Sequence, residues 1–394
     1  MIHTESGPPI TVGIYDHALF MAGGGQRYAC ALASLLQTAC RVTFITHRTV
    51  SIRQLESWYG LDLTRCDVKN IPLPYYAKKP HGLVDEIFLP WFGPNPFKVI
   101  SEESRNYDLF INANMLTKIT PQSKASIFIC HFPDHKKSRY FAADRYTALV
   151  TSSQYGAHWI REKWGLPDAR PIYPAVEAAC APLIKEPLIL SVARFEHTGS
   201  KNQLEMINTF EALCRQYPAE MKSWSLTIAG GTFDGNPYFA KVLARAGDNP
   251  KIRVMANLSN EEIKNMYARA SLFWHACGLN TDAPSRAEHF GMTTVEAMQN
   301  RCVPVVINKG GQREIVEHGK SGYLFDDTGE WMRYSLNLIR DIESRKVMAQ
   351  HAEARGGFFK KNTFEDGWKE ILLPLLKEKT DDQQGLLAAS RSVS

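Results

Sequence analysis

The chain has 394 residues, enough for two or three domains, and its 44% apolar and 22% charged content excludes a disordered, collagen-like or disulfide-stapled chain. Lysine and arginine (46) against aspartate and glutamate (41) leave a net charge of +5, too mild over this length for a nucleic-acid binder. The eight cysteines stand singly with no C-x-x-C pair, no apolar run approaches the roughly 20 residues that span a bilayer, and the first residues lack the layout of a secretion signal. These features predict free thiols and a cytoplasmic chain, at most resting on a membrane surface.

Short β-branched runs alternate with helical stretches from the start. Ile10 to Tyr15 reads as a strand, a helix follows the glycines at 23–25, and Arg41 to Thr46 reads as the next strand. Asp108 to Asn114, Ser126 to Phe132 and Ala148 to Ser153 continue the series, the last running into a helix that carries Tyr155, Trp159 and Trp164. The alternation predicts a parallel sheet with crossover helices over residues 1–175. Within it, Ile71 to Ile100 interleaves prolines and aromatics with basic residues, and reads either as a packed surface loop or as an amphipathic surface for lipid or a hydrophobic acceptor. Three prolines between Pro174 and Pro187 suggest an interdomain linker. A second series of strands follows, Pro187 to Phe195, Ser223 to Gly231, Lys251 to Ser259, Ser271 to Cys277 and Cys302 to Gly311, with a capping box at Ser259 and Glu262. These make a second α/β lobe over 176–363. The tail 381–394 lacks a core-building pattern and is expected to fray.

Candidate chemistry lies in both lobes. Gly23-Gly24-Gly25 open a helix after the first strand, where backbone N–H groups can approach a phosphate or sugar without Cβ interference. A dinucleotide fingerprint fails here: Tyr28 stands where the third glycine belongs, and Thr46-His47-Arg48 ends the second strand without a ribose-binding acid. In the second lobe, Glu288 and Glu296 flank a helix start at Gly291-Met292-Thr293-Thr294, with seven residues between them. A carboxylate on the loop can face a sugar, amides at the helix start a phosphate, and a carboxylate inside the helix a ribose. Arg194 just past a strand and Lys201 entering a helix are two cations able to neutralise a diphosphate leaving group. His275 reads as structural rather than catalytic, and Gly310-Gly311 sit at a strand's C-terminal end, where ligands bind in open α/β sheets.

Together with His131 to Pro133, TSSQYGAHWIREKWG, Ile228 to Gly231 and GGQREIVEHGKSGYLF, these motifs resemble the retaining glycosyltransferases of the double-Rossmann (GT-B) type, the mannosyltransferase-like and glycogen-synthase-like family with an E-x7-E signature. The resemblance covers nearly the whole chain, with one departure at Ala193, where the family usually has glycine. It implies an α/β chain of two Rossmann-like domains facing each other across a cleft, the last helix, about 364–380, crossing back to the first. The implied activity is metal-independent transfer of a hexose, mannose first, from a nucleoside-diphosphate sugar to a glycan or lipid-linked glycan, with retention and no cofactor, in surface polysaccharide or glycoconjugate biosynthesis. By the resemblance, Glu288, Arg194, Lys201 and His131 are catalytic, and Glu296, Phe290, Gly291, Met292, Thr293, Thr294, Gly24 and Gly25 bind the donor. Trp91, Phe92, Lys136, Lys137 and Arg139 are expected to meet the acceptor or a membrane. Rival readings are a UDP- or dTDP-sugar donor such as glucose or rhamnose, a nucleotide-sugar epimerase, a non-catalytic sugar-binding subunit, and an NADP-dependent oxidoreductase in which Arg48 meets the 2′-phosphate.

Overall fold

Both faces of a parallel sheet are covered, so its strands read as continuous apolar runs rather than alternating ones. β1 (Ile10–Tyr15), buried at five of its six positions, is such a strand. The computed structural model describes residues 9–72, 96–113, 116–133, 141–178, 180 and 183–391, the side chains only as far as 376 at the C-terminal end. It divides into two units, the first made of Met1–Ser152, Gly156–Tyr173 and Phe364–Ser394, the second of Ser153–Tyr155 and Pro174–Thr363.

The first unit adds β2 (Cys40–Thr46), β3 (Cys66–Asn70), β4 (Leu109–Asn112), β5 (Ala125–Ile129), β6 (Ala148–Thr151) and β7 (Arg170–Pro171), in the all-parallel order β3-β2-β1-β4-β5-β6-β7. β3 and β7 escape the sequence reading because short, partly exposed edge strands carry little apolar pattern. The last helix, Lys361–Arg391, supplies Phe364 and Trp368, which pack around Tyr28 of the first helix (Gly24–Leu36) with ring centroids 5.3 and 6.2 Å away. The Tyr28 hydroxyl donates to the Ile172 carbonyl at 3.0 Å, so the buried phenol keeps a partner. Where a frayed tail is expected, the backbone continues as helix to Arg391.

The second unit contains β8 (Glu186–Val192), β9 (Ser225–Gly230), β10 (Ile252–Ala256), β11 (Ala270–His275), β12 (Val303–Ile307) and β13 (Tyr323–Phe325), again all parallel, in the order β10-β9-β8-β11-β12-β13. Its core centres on Trp274, Trp331 and Phe325, the last two stacked at 4.7 Å. The capping box forms, with Ser259 Oγ accepting from the Glu262 N–H and Glu262 Oε2 from the Ser259 N–H. The supposed linker is partly docked. Gln299 accepts from the Ala178 N–H and donates to the Val176 carbonyl, while Asn300 accepts from the Cys180 N–H and donates to the Ala178 carbonyl. Two carboxamides thus stand in for a neighbouring strand, a role invisible to periodicity. All eight cysteines are free thiols, and no described helix is long and apolar enough to cross a membrane.

Candidate active site

In the second sheet β8 and β11 are neighbours, with β9 continuing to one side of the pair and β12 to the other. Chain order reverses there, and loops leaving the carboxyl ends of two such strands diverge and open a crevice. Arg194 and Lys201 follow β8, while His275 ends β11 and Cys277, Glu288 and Gly291 follow it. Residues far apart in sequence therefore meet at one place.

Lys201 Nζ lies 2.8 Å from Glu288 Oε2, the two residues being 87 positions apart. His275 Nε2 reaches the same oxygen at 3.2 Å, and Lys201 Nζ also lies 3.6 Å from Cys277 Sγ. His275 is the last residue of β11 and Cys277 stands in the turn that follows it, and both side chains meet the cluster. Asn202, with φ 57°, donates to the Ala276 carbonyl at 2.7 Å and fixes the turn that delivers Lys201. The side chains of Lys201 and Glu288 are only 16% and 23% exposed. Burial pushes the Glu288 carboxyl up, but the Lys201 ammonium and the His275 hydrogen bond outweigh it and hold the group well below the usual carboxylate range. Burial likewise lowers Lys201, yet Glu288, with Cys277 and Glu196, holds the ammonium above its ordinary value. Both groups are therefore charged at neutral pH. Burial raises the Cys277 thiol to about 12, so it sits as a neutral S–H facing the Arg286 carbonyl at 3.3 Å.

Glycines shape the walls around the cluster. Gly311 donates to the Glu288 carbonyl at 2.8 Å, and a Cβ on it would lie 2.5 Å from Phe290 Cα and 2.6 Å from the His289 carbonyl oxygen. Gly310 takes φ 63°, and a Cβ on it would strike the Glu288 carbonyl oxygen. Gly291, at φ 117°, caps the helix Met292–Gln299, and a Cβ there would meet the Gln312 amide at 2.7 Å. Gly311→Ala is expected to shift the 288–290 backbone, lowering stability by about 2 kcal/mol and reducing turnover with it. Melting temperature and kcat, measured side by side, check this, and a fully stable and fully active variant would refute it.

The remaining residues expected at a donor site differ in how they present themselves. Glu296, half-buried inside that helix, accepts from the Tyr267 hydroxyl at 2.9 Å, which orients its carboxylate. Met292 and Thr293 are half-buried at the helix start, where N–H groups lack intrahelical partners. Thr294 is fully buried, its hydroxyl without a partner among the described residues. The Phe290 ring turns into the core against Phe359, leaving only its backbone for a ligand. Arg194 does not join the cluster: it is 59% exposed and pairs with Glu196 at 3.2 Å. Ala193 has no positive φ, and the close approach at this crossing is provided by Gly230, whose Cβ would strike the Ala193 carbonyl.

In the first unit, Gly25 and His131 come together, a Cβ on Gly25 lying 3.3 Å from His131 Nε2, and the His131 ring packs edge-on against Tyr28. Gly24 begins the helix itself. The turn before it is held by Tyr59, whose hydroxyl accepts from the Gly23 N–H, and by Asp16, which accepts from the Ala18 N–H at 2.8 Å and Gln26 Nε2 at 3.0 Å. Trp91, Phe92, Lys136, Lys137 and Arg139 lie outside the described residues. Apart from the His-x-Cys spacing of the first two at a strand end, nothing in the sequence alone marks His275, Cys277, Asn202, Tyr267 or Asp16 as part of these clusters.

Residues 181–355 match the family of glycosyl transferases group 1. Trehalose synthase of Thermococcus litoralis is 26% identical over 171 residues, 43% of this chain and 40% of that protein. Human alpha-1,3/1,6-mannosyltransferase ALG2 is 26% identical over 284 residues, 60% of this chain and 65% of that one. The chain thus spans less than two thirds of the length of these curated relatives. Among solved structures, Anabaena HepE in complex with UDP and glucose is similar with a TM-score of 0.70 at 16% identity, over 93% of this chain and 100% of that one. Sucrose-phosphate synthase from Thermosynechococcus elongatus gives 0.69 at 13% identity, over 94% and 100%. At these identities the likeness is one of fold. Over residues 181–355 the second unit is therefore similar to the group 1 glycosyl transferases, in a chain whose two parallel-sheet units match the GT-B glycosyltransferase fold.

Proposed function

We propose that the protein transfers a hexose, mannose first among the candidates, from a nucleoside-diphosphate sugar to a glycan or lipid-linked glycan acceptor. The observation that carries this reading is the charged Lys201–Glu288 pair, held by His275 at the β8/β11 crevice that also receives the start of the Met292–Gln299 helix. Glu288 is assigned to the sugar hydroxyls and Glu296 to the ribose. Lys201, the helix-start N–H groups and Arg194, once released from Glu196, neutralise the diphosphate as the glycosidic bond breaks. The similarity to the human mannosyltransferase supports mannose, while the UDP and glucose bound to HepE favour UDP-glucose as the second donor reading. Thermal-shift measurements over GDP-, UDP- and dTDP-sugars test it, since a ligand at 100 times its Kd stabilises by about 2.7 kcal/mol. Absence of a shift with every nucleotide sugar would refute the reading.

We further propose that transfer retains the anomeric configuration without a covalent sugar–enzyme intermediate. A double displacement needs two carboxyl groups roughly 5 Å apart across the scissile bond. Glu288 is instead engaged by Lys201 and His275, and Glu296 by Tyr267, on either side of a helix start. In front-face attack the acceptor oxygen bonds to the anomeric carbon as the bond to the diphosphate oxygen breaks, and that oxygen takes the acceptor's proton. NMR of the product's anomeric proton is expected to show retention, and an inverted product would overturn the mechanism. Because Lys201 and Arg194 can supply the positive charge, turnover is expected to survive excess EDTA. Complete loss in EDTA, restored by magnesium or manganese, would contradict this.

A further inference from the structure

The Glu288 carboxylate is held on one side only. Oε2 takes both Lys201 Nζ at 2.8 Å and His275 Nε2 at 3.2 Å, and no described residue donates to Oε1. A carboxylate only accepts, so the imidazole meets it with an N–H on Nε2. Nδ1 is buried and has no hydrogen-bond partner among the described residues, so the position tolerates an unsatisfied polar atom that a leucine or phenylalanine would not bring.

The two clamps differ in kind. Lys201 places a charge at the end of a flexible four-carbon stem, whereas His275 is a flat ring at the end of β11, a strand paired on both sides by β8 and β12. His275 itself pairs with Val306, which fixes where the ring starts. Its single Nε2–H therefore sets the plane of the carboxylate.

We infer that His275 is a positioning residue for Glu288, locking Oε2 so that Oε1 faces the ligand as the acceptor for a donor-sugar hydroxyl. The assignment to a sugar rests on the function proposed above, and the lock itself rests on the geometry alone. Without His275 the ion pair with Lys201 persists, but the carboxylate can rotate about its last bond. Bond-breaking then slows while nucleotide binding, which draws on Glu296 and the helix start, is left intact.

Glutamine and asparagine at 275 separate this role from mere packing. A glutamine amide reaches about the place of Nε2, an asparagine amide only that of Nδ1. His275→Asn is expected to lower kcat for nucleotide-sugar consumption by on the order of 10- to 100-fold. His275→Gln should recover most of it, and both variants should bind the free nucleoside diphosphate, UDP or GDP, within about twofold of wild type by calorimetry. Equal rates in the two variants, or nucleotide affinity falling in step with rate, would overturn the inference. A melting-temperature cycle over His275→Asn, Glu288→Gln and the double variant reads the lock without any turnover: non-additive losses are expected, and additive ones refute it. If His275→Asn does not fold, His275→Ala, which likewise lacks a donor at the place of Nε2, replaces it in the cycle. A wild-type protein that consumes no nucleotide sugar would overturn the proposed function, and the cycle would still decide whether His275 holds Glu288.

Discussion

Lys201→Ala is expected to lower kcat by on the order of 100- to 1,000-fold, more than it raises the KM for the donor. Two effects act together. On the proposed function, the ammonium assigned to the departing diphosphate is lost, and it is needed most when charge on the leaving group is greatest. The largely buried Glu288 carboxylate also loses its counter-charge, and breaking such a pair from one side costs about 3–5 kcal/mol, more than removing both charges. Lys201→Ala with Glu288→Gln should accordingly melt higher than Lys201→Ala alone. Lys201→Arg should rescue poorly, because a planar fork does not fit a place built for a point charge beside Cys277. Steady-state kinetics with calorimetric melting check the set. A changed KM with unchanged kcat would remove Lys201 from the chemistry.

Asp16→Asn is expected to stabilise the protein at pH 8 and to do little or the reverse at pH 4. Burial raises the Asp16 carboxyl to about 7 from 3.8, despite hydrogen bonds from the Ala18 N–H and Gln26. Between those values the folded state holds a proton that the unfolded chain has released, so the neutral carboxyl's contribution is fully present below the lower value and is lost as pH rises through about 7. At ~1.4 kcal/mol per pH unit that span is worth ~4 kcal/mol, large against the total stability of a domain. Asparagine keeps an acceptor for the Ala18 N–H and cannot ionise. Urea unfolding of both proteins at pH 4 and pH 8 tests this, and a difference that is the same at both would show that Asp16 does not titrate in this range.

Residues in direct succession carried most of what was legible before any fold was known. The runs Ile10 to Tyr15, Ser223 to Gly231 and Ser271 to Cys277 are apolar enough to be strands whatever surrounds them, and their alternation with helices implies parallel sheets. Glu288, Glu296 and the glycine between them stand within nine residues, so their placement around a helix start is a local matter. β13 went unread because three residues give no periodicity, and the docking of Val176, Ala178 and Cys180 because their partners are side chains of Gln299 and Asn300.

By itself, then, the amino-acid sequence determined the architecture of both units and the cast of charged residues, since these follow from short-range pattern and spacing. Which of those residues touch was decided by sheet order. Only the adjacency of β8 and β11 brings Lys201 to Glu288 and sets His275 against one oxygen of the carboxylate. Burial was decided the same way: nothing near Asp16 in sequence announces a carboxyl whose ionisation is suppressed by the packing around it. Contact and desolvation depend on chain segments tens of residues apart, and no local pattern encodes their meeting.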